Sequence, residues 1–180
     1  VRIEAMFETA RNLIEWGRRE LVVEGKTQVD YGKYDEAAKA IESFRKNSYA
    51  IVGDDPNQRL FVDLMETMLQ YYLFEQRADA RRAEDAEKAA EDDVRAFQAL
   101  YAFYTKYTDP GVQRAFLEII ARKYRHVKPE QYDRVNSLIL TALAFRDETS
   151  DEALELFSKV LARDDEISRK LHPLALWQRG

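Results

Sequence analysis

The sequence contains no cysteine. Disulfides, thiolate nucleophiles and cysteine-based metal sites are excluded, while the compartment is left undecided. Glycine and proline together make 10 of the 180 residues, about half the ~12% usual for soluble proteins, so chain-breakers are scarce. There are two histidines, His126 and His172. Neither has a carboxylate or a second histidine three or four residues away on its own helix. Around His126 those places hold Arg122, Lys123 and Pro129, and Glu130 lies beyond the proline. Around His172 they hold Ser168, Arg169, Ala175 and Leu176. The Glu-x-x-His di-iron and His-Glu-x-x-His zinc patterns are thereby excluded. No phosphate-cradling glycine loop or nucleophile elbow occurs. The acidic clusters Asp54-Asp55 and Glu91-Asp92-Asp93 lack the spaced oxygens and central glycine of a calcium loop. They read as helix N-caps and first-turn acids. No run of ~18 apolar residues is present, so no membrane span is expected. The net charge of −5 and pI near 5.3 are opposite to a nucleic-acid-binding footprint. The expectation is a protein without cofactor, metal, nucleic-acid partner or enzymatic activity. No signal peptide is visible, but the sequence opens on Val1, so cytoplasmic and periplasmic or secreted locations are not distinguished.

What the sequence does have is long helix-forming runs and 46% hydrophobic residues, enough for a sizeable core. The fold class expected is all-α: antiparallel helical hairpins with one long, charged central span. A single domain is expected, with an N-terminal hairpin over 1–53, the span over 54–109 and C-terminal hairpins over 110–180.

The span lies between Pro56 and Pro110 and contains neither glycine nor proline. Asp55-Pro56 and Asp109-Pro110 are both helix starts: the carboxylate caps, and proline suits the first turn because its missing N–H needs no partner there. Leu60–Phe74 and Val94–Tyr107 are apolar. Glu75–Asp93 is rich in Ala, Glu and Arg and has no core face of its own. Two arrangements fit. One is a single helix of about 50 residues, roughly 75 Å long at ~1.5 Å per residue. The other is two helices broken near Glu91-Asp92-Asp93, with Asp92 or Asp93 as the new N-cap. A bend is slightly favoured. In a hairpin, the aromatics Tyr71, Tyr72 and Phe74 would meet Phe97, Tyr101, Phe103, Tyr104 and Tyr107.

Elsewhere periodicity places the helices. Arg2 to about Glu24 reads as one amphipathic helix, with Gly17 at a packing contact. Gly32 ends a turn before a helix over Tyr34–Phe44 that buries Ala37, Ala40, Ile41 and Phe44. Asn47–Asp55 reads as a loop. Helices are expected over Pro110–His126 and Glu130–Phe145, the latter apolar nearly all round and hence buried at the centre of the C-terminal half. Ser150 is the expected N-cap of the next helix, and Glu166–Trp177 is a last helix that Pro173 interrupts or restarts.

Two stretches, about 18–48 and 133–165, resemble the tetratricopeptide (TPR) repeat. The first does so through Gly25, Gly32, Tyr34, Asp35-Glu36 and Ala37, and the second through Leu140, Asp151-Glu152, Ala153, Phe157 and Leu161. Gln28, Phe44, Glu148, Ala144, Ser150 and Val160 depart from that pattern. The resemblance implies helical hairpins that bind another protein. Lys26 is the one residue matching the basic positions with which that family holds acidic C-terminal peptides, so this ligand class is not expected.

The functional expectation is a non-enzymatic scaffold or adaptor that binds another protein. Its contact strip runs along the central span through Ala83, Ala86, Ala90, Val94, Tyr101 and Tyr104. The alternative is an assembly subunit that forms homo-oligomers through the same strip. The basic run Arg122–Lys128, with Tyr124 inside it, has two readings: contact with phosphate or an acidic partner, or, the favoured one, cations placed at a helix C-terminus.

Overall fold

The computed structural model describes residues 2–17, 20–23, 26–146 and 151–179. Eight α-helices run through the described residues, and the all-α class of packed helical hairpins is borne out. The chain forms two compact units, Val1–Phe103 and Tyr104–Gly180.

In the first unit, α1 (Arg2–Gly17) packs on α2 (Tyr31–Val52), which pairs with α3 (Pro56–Arg81). Their shared core is built on Ala10 and Ile14 of α1, Tyr34, Ala37, Ile41 and Phe44 of α2, and Val62, Leu69 and Leu73 of α3. The helix expected to reach Glu24 instead stops at Gly17. It is followed by a two-stranded antiparallel hairpin, β1 (Glu20–Val23) with β2 (Lys26–Val29), in which Glu20 faces Val29 and Val23 faces Lys26. The β-branched Val22, Val23, Thr27 and Val29 suit strands better than a helix interior. Gly25, which enters the repeat resemblance, lies outside the described residues, and Gly32 sits in the first turn of α2 rather than before it.

The loop expected over Asn47–Asp55 is also shorter than the composition suggests. α2 continues to Val52 because nothing before Gly53 stops it. Gly53 then takes a left-handed φ of 60°, and its N–H bonds back to the Tyr49 carbonyl at 3.1 Å. This is the glycine stop that a side chain would strain. Asp55 next accepts the N–H groups of Asn57 and Gln58 at 2.9 and 3.0 Å, with Pro56 in the first turn.

The central span is two helices. α3 ends at Arg81 and α4 covers Ala86–Lys106. The break falls at Arg82–Asp85, not at Glu91–Asp93. Asp85 is the cap, accepting the Lys88 N–H at 3.1 Å and pairing with the Lys88 ammonium at 2.7 Å. Asp92 is fully buried inside α4, where it takes Arg77 across the turn. The chain therefore turns back at Arg82–Asp85 far enough for Arg77 and Arg81 of α3 to reach Asp92 of α4. The aromatics of α3 do not simply turn to α4: Tyr72 packs on the α1–α3 core and donates to Glu15 of α1.

In the second unit, α5 (Pro110–Lys123) starts from Asp109, which accepts the Val112 N–H at 3.0 Å. Pro129–Arg134 forms a 3-10 helix where the start of a longer α-helix was expected, and α6 covers only Ser137–Arg146. The shortening follows from Asn136, whose side chain caps the Ile139 N–H at 2.9 Å and starts α6 afresh. Every α6 residue from Ser137 to Ala144 is buried. α5, α7 (Asp151–Ala162) and α8 (Glu166–Arg179) pack around it, so the expectation of a buried central helix holds. The proposed Ser150 cap and Glu148 lie outside the described residues. α8 runs through Pro173. The missing N–H leaves one hydrogen bond unmade, while buried Leu171 and Ala175 on either side hold the helix to the core.

Candidate interaction surface

Two sets of residues bear on function in the first unit: the closed inner face of the α3–α4 turn and the open face of α4 beside it.

The inner face is ionic. Asp92 receives Arg77 at both oxygens, Nε to Oδ2 at 2.9 Å and Nη2 to Oδ1 at 2.7 Å, and Arg81 joins at 2.8 Å. Arg95 stands 3.6 Å away on the next turn. A two-point guanidinium–carboxylate pair fixes geometry as well as charge. Arg77 also lies 5.2 Å from the centre of the Phe74 ring and Arg81 5.3 Å from that of Tyr31. The Tyr31 hydroxyl in turn donates to Glu84 at 3.1 Å and to the Ala80 carbonyl at 3.4 Å, tying the start of α2 to the end of α3. Burial, then the Glu84 hydrogen bond and charge, raise the Tyr31 phenol above its ordinary range. The charged centre of the span thus does bury a face of its own, built from Arg77, Ala78, Ala89 and Asp92. Composition did not reveal it, because the partners of Asp92 stand 11 and 15 residues away in sequence.

The residues of the expected strip fall in different surroundings. Ala86, Ala90 and Val94, at intervals of four, lie exposed along α4, with Val94 51% exposed. Ala83 is exposed but belongs to the turn before α4. Beyond Val94 the strip is interrupted by Phe97, which is buried and stacks on Tyr101 with ring centres 5.9 Å apart. Tyr101 and Tyr104 are half-buried. The open part is therefore Ala86–Val94. It is edged by ion pairs of both signs: Lys88–Asp85, Arg82–Asp93 at 3.0 Å and Arg95–Glu91 at 3.8 Å. The hydrogen bond and charge of Lys88 hold the exposed Asp85 carboxyl below its ordinary value.

Sequence periodicity missed one exposed apolar feature in the second unit. Leu176 and Trp177 near the end of α8 are exposed, Trp177 by 76%. The pairing of two large apolar residues beside Gln178-Arg179 was the available signal.

The histidines have structural surroundings. His172 Nε2 lies 3.2 Å from the Val160 carbonyl and 3.1 Å from that of Arg163, so an Nε2–H donates to carbonyls at the C-terminal end of α7. His126 stacks on Tyr124. Among the described residues no cluster of three His, Asp or Glu side chains is placed to hold a metal ion, and no helix is long and apolar enough to cross a membrane.

The fold and surface define a helical-hairpin protein with a mixed-charge helix face. No family model matches the sequence, and neither curated proteins nor solved structures give a match.

Proposed function

We propose that this chain is a non-enzymatic interaction module of helical-repeat type, which receives a helix of another protein along Ala86, Ala90 and Val94 of α4, with Tyr101 and Tyr104 extending the contact. The observation that carries the reading is the exposed Ala90–Val94 step. A small side chain admits a second helix close to the backbone, and a neighbouring valine supplies apolar area. Flanking ion pairs then give register rather than affinity.

A second reading uses the same strip for self-assembly. The edge carries both signs within two turns, Arg82 and Lys88 beside Asp93 and Glu91. A two-fold related copy would therefore meet opposite charges, as an isologous interface requires.

The test is Ala90→Glu combined with Val94→Glu in the full chain. Both sites are exposed, so the unfolding free energy should change by no more than about 0.5 kcal/mol per site, the small range of surface substitutions. A photo-crosslinking residue at position 86, on the same exposed face, should trap a single partner in the parent background and lose it in the double variant. Light scattering separates the readings: a monomer supports the adaptor, and a dimer abolished by the double variant supports assembly. Unchanged crosslinking and unchanged mass in the double variant would discard the α4 strip altogether. Deleting 78–90 is no substitute, because it removes buried Ala78 and Ala89 together with Arg81, a partner of Asp92.

A further inference from the structure

The second unit carries a groove of opposite character, independent of the α4 strip. It lies between α5 and α6, with a volume of about 290 Å³. Its floor is apolar: Ala121 of α5 with Ala142 and Phe145 of α6. Ala121 and Ala142 are buried, and Phe145 is half-buried and packs edge-on against Phe157 at 5.8 Å, which fixes its ring. Among the described residues, its walls carry Arg114, Arg122 and Arg146 with the carboxylate of Glu118. In a chain of net charge −5, this is a local concentration of positive charge over an apolar floor.

The two contacts inside the groove are loose. Glu118 stands 3.7 Å from Arg114 and 3.8 Å from Arg122, well beyond the ~2.8 Å of a charge-assisted hydrogen bond. Arg122 is 80% exposed, and Arg146 is exposed at the end of α6. A carboxylate brought in from outside would meet the guanidinium groups of Arg122 and Arg146, each able to bind it at two points. The helix-end explanation of the basic run Arg122–Lys128 accounts for Lys123, which lies 5.9 Å from the centre of the Tyr124 ring at the α5 terminus. It does not account for Arg114, two turns earlier, or for Arg146 on another helix.

From this geometry we propose that the α5–α6 groove is a docking site for an acidic peptide segment of another protein, anchored by one apolar side chain on Phe145. The floor selects an apolar anchor, which a bare phosphate does not offer. The net negative charge of the chain disfavours a long polyanion such as nucleic acid, whose binding depends on an extended basic surface. A short acidic segment answers both, since its carboxylates stay within the local field of the three arginines.

The probe is a fluorescein-labelled peptide of glutamates around a central leucine, titrated with the full chain and read by polarisation. Saturable binding is expected, and the double variant Arg122→Glu with Arg146→Glu should weaken it at least about tenfold. The control is Lys39→Glu with Lys46→Glu, two exposed positions on α2. It changes the net charge equally and should alter binding by less than about twofold. Replacing the leucine of the probe by glycine should also weaken binding. Equal losses in the two double variants would reduce the effect to overall charge and overturn the proposal. So would indifference to the leucine, tighter binding of a single-stranded RNA oligonucleotide, or no saturable binding. Self-association lost in Arg122→Glu/Arg146→Glu would assign the groove to a second copy and overturn it likewise. If that variant melts lower than the parent, Arg122→Gln alone supplies the comparison, and unaltered probe binding there also refutes the site.

Discussion

Gly17 is packed directly against the ring of Tyr34. A methyl group built on Gly17 would stand 2.7 to 2.9 Å from three ring carbons of Tyr34. The ring has nowhere to go: Tyr34 is fully buried, its hydroxyl donates to the Gln76 carbonyl at 3.4 Å, and its ring lies against Tyr31. Gly17→Ala is therefore expected to destabilise by about 1–3 kcal/mol through overpacking, more than the helix-propensity gain of up to ~1 kcal/mol can offset. Repeating it in a Tyr34→Leu background should remove most of that penalty. Denaturant midpoints for the four proteins measure the coupling, and simple additivity would show that the two residues do not interact.

Asp92 is the keystone of the α3–α4 turn. It is fully buried and takes Arg77 and Arg81 together. Replacing Asp92 by alanine leaves a buried guanidinium without its counter-charge, at about 3–5 kcal/mol. The combined change Asp92→Leu with Arg77→Met is expected to be milder, because the most buried guanidinium leaves with its counter-charge, while Arg81 and Arg95, 24% and 50% exposed, keep access to water. Urea denaturation of the full chain checks this, and a double variant no better than Asp92→Ala would refute it.

The same cluster marks the boundary of what the sequence conveys. Asp55-Pro56 and Asp109-Pro110 were legible as helix starts because a cap acts on residues two or three places away. The wholly buried α6 was legible because all its turns are apolar. The break of the central span was misplaced because Asp85 and Asp92 look alike locally. One is an exposed cap and the other a buried counter-ion, and only the arginine across the turn distinguishes them. The hairpin over 20–29 had a short-range signal, a Glu24-Gly25 step between β-branched runs, which the preceding helical stripe obscured. The burial of Phe97 on α4 depends on tertiary packing that periodicity does not carry. The α5–α6 groove needed Arg146 brought beside Arg122 by the fold.

Ser48 offers a change in the favourable direction. Its side chain is fully buried on α2, and its hydroxyl has no hydrogen-bond partner among the described residues. An unsatisfied buried hydroxyl is costly, and alanine is the better helix former, so Ser48→Ala should raise stability by about 1 kcal/mol. Thermal and urea unfolding provide the measurement. A loss of stability would mean that the hydroxyl is satisfied in solution, by water or by a carbonyl one turn back.

Tyr132 sets an alkaline limit on the second unit. Burial first, then the 2.5 Å hydrogen bond to Glu152 and that carboxylate's charge, push its phenol from the ordinary 10.0 up to about 12. A folded-state value above the unfolded one means that folding favours the neutral phenol. The contribution is fully present below about pH 10 and is lost as the pH rises through about 12. Tyr132→Phe should be less stable than the parent near neutrality, since it lacks the hydrogen bond, yet lose less stability between about pH 10 and about pH 12. Glu152→Gln should lower the phenol value while leaving it above 10, because burial, the largest cause, persists. Urea midpoints across that range, with an ultraviolet titration of phenolate, test both changes. Parallel stability profiles for the parent and Tyr132→Phe would exclude a linked proton at this residue.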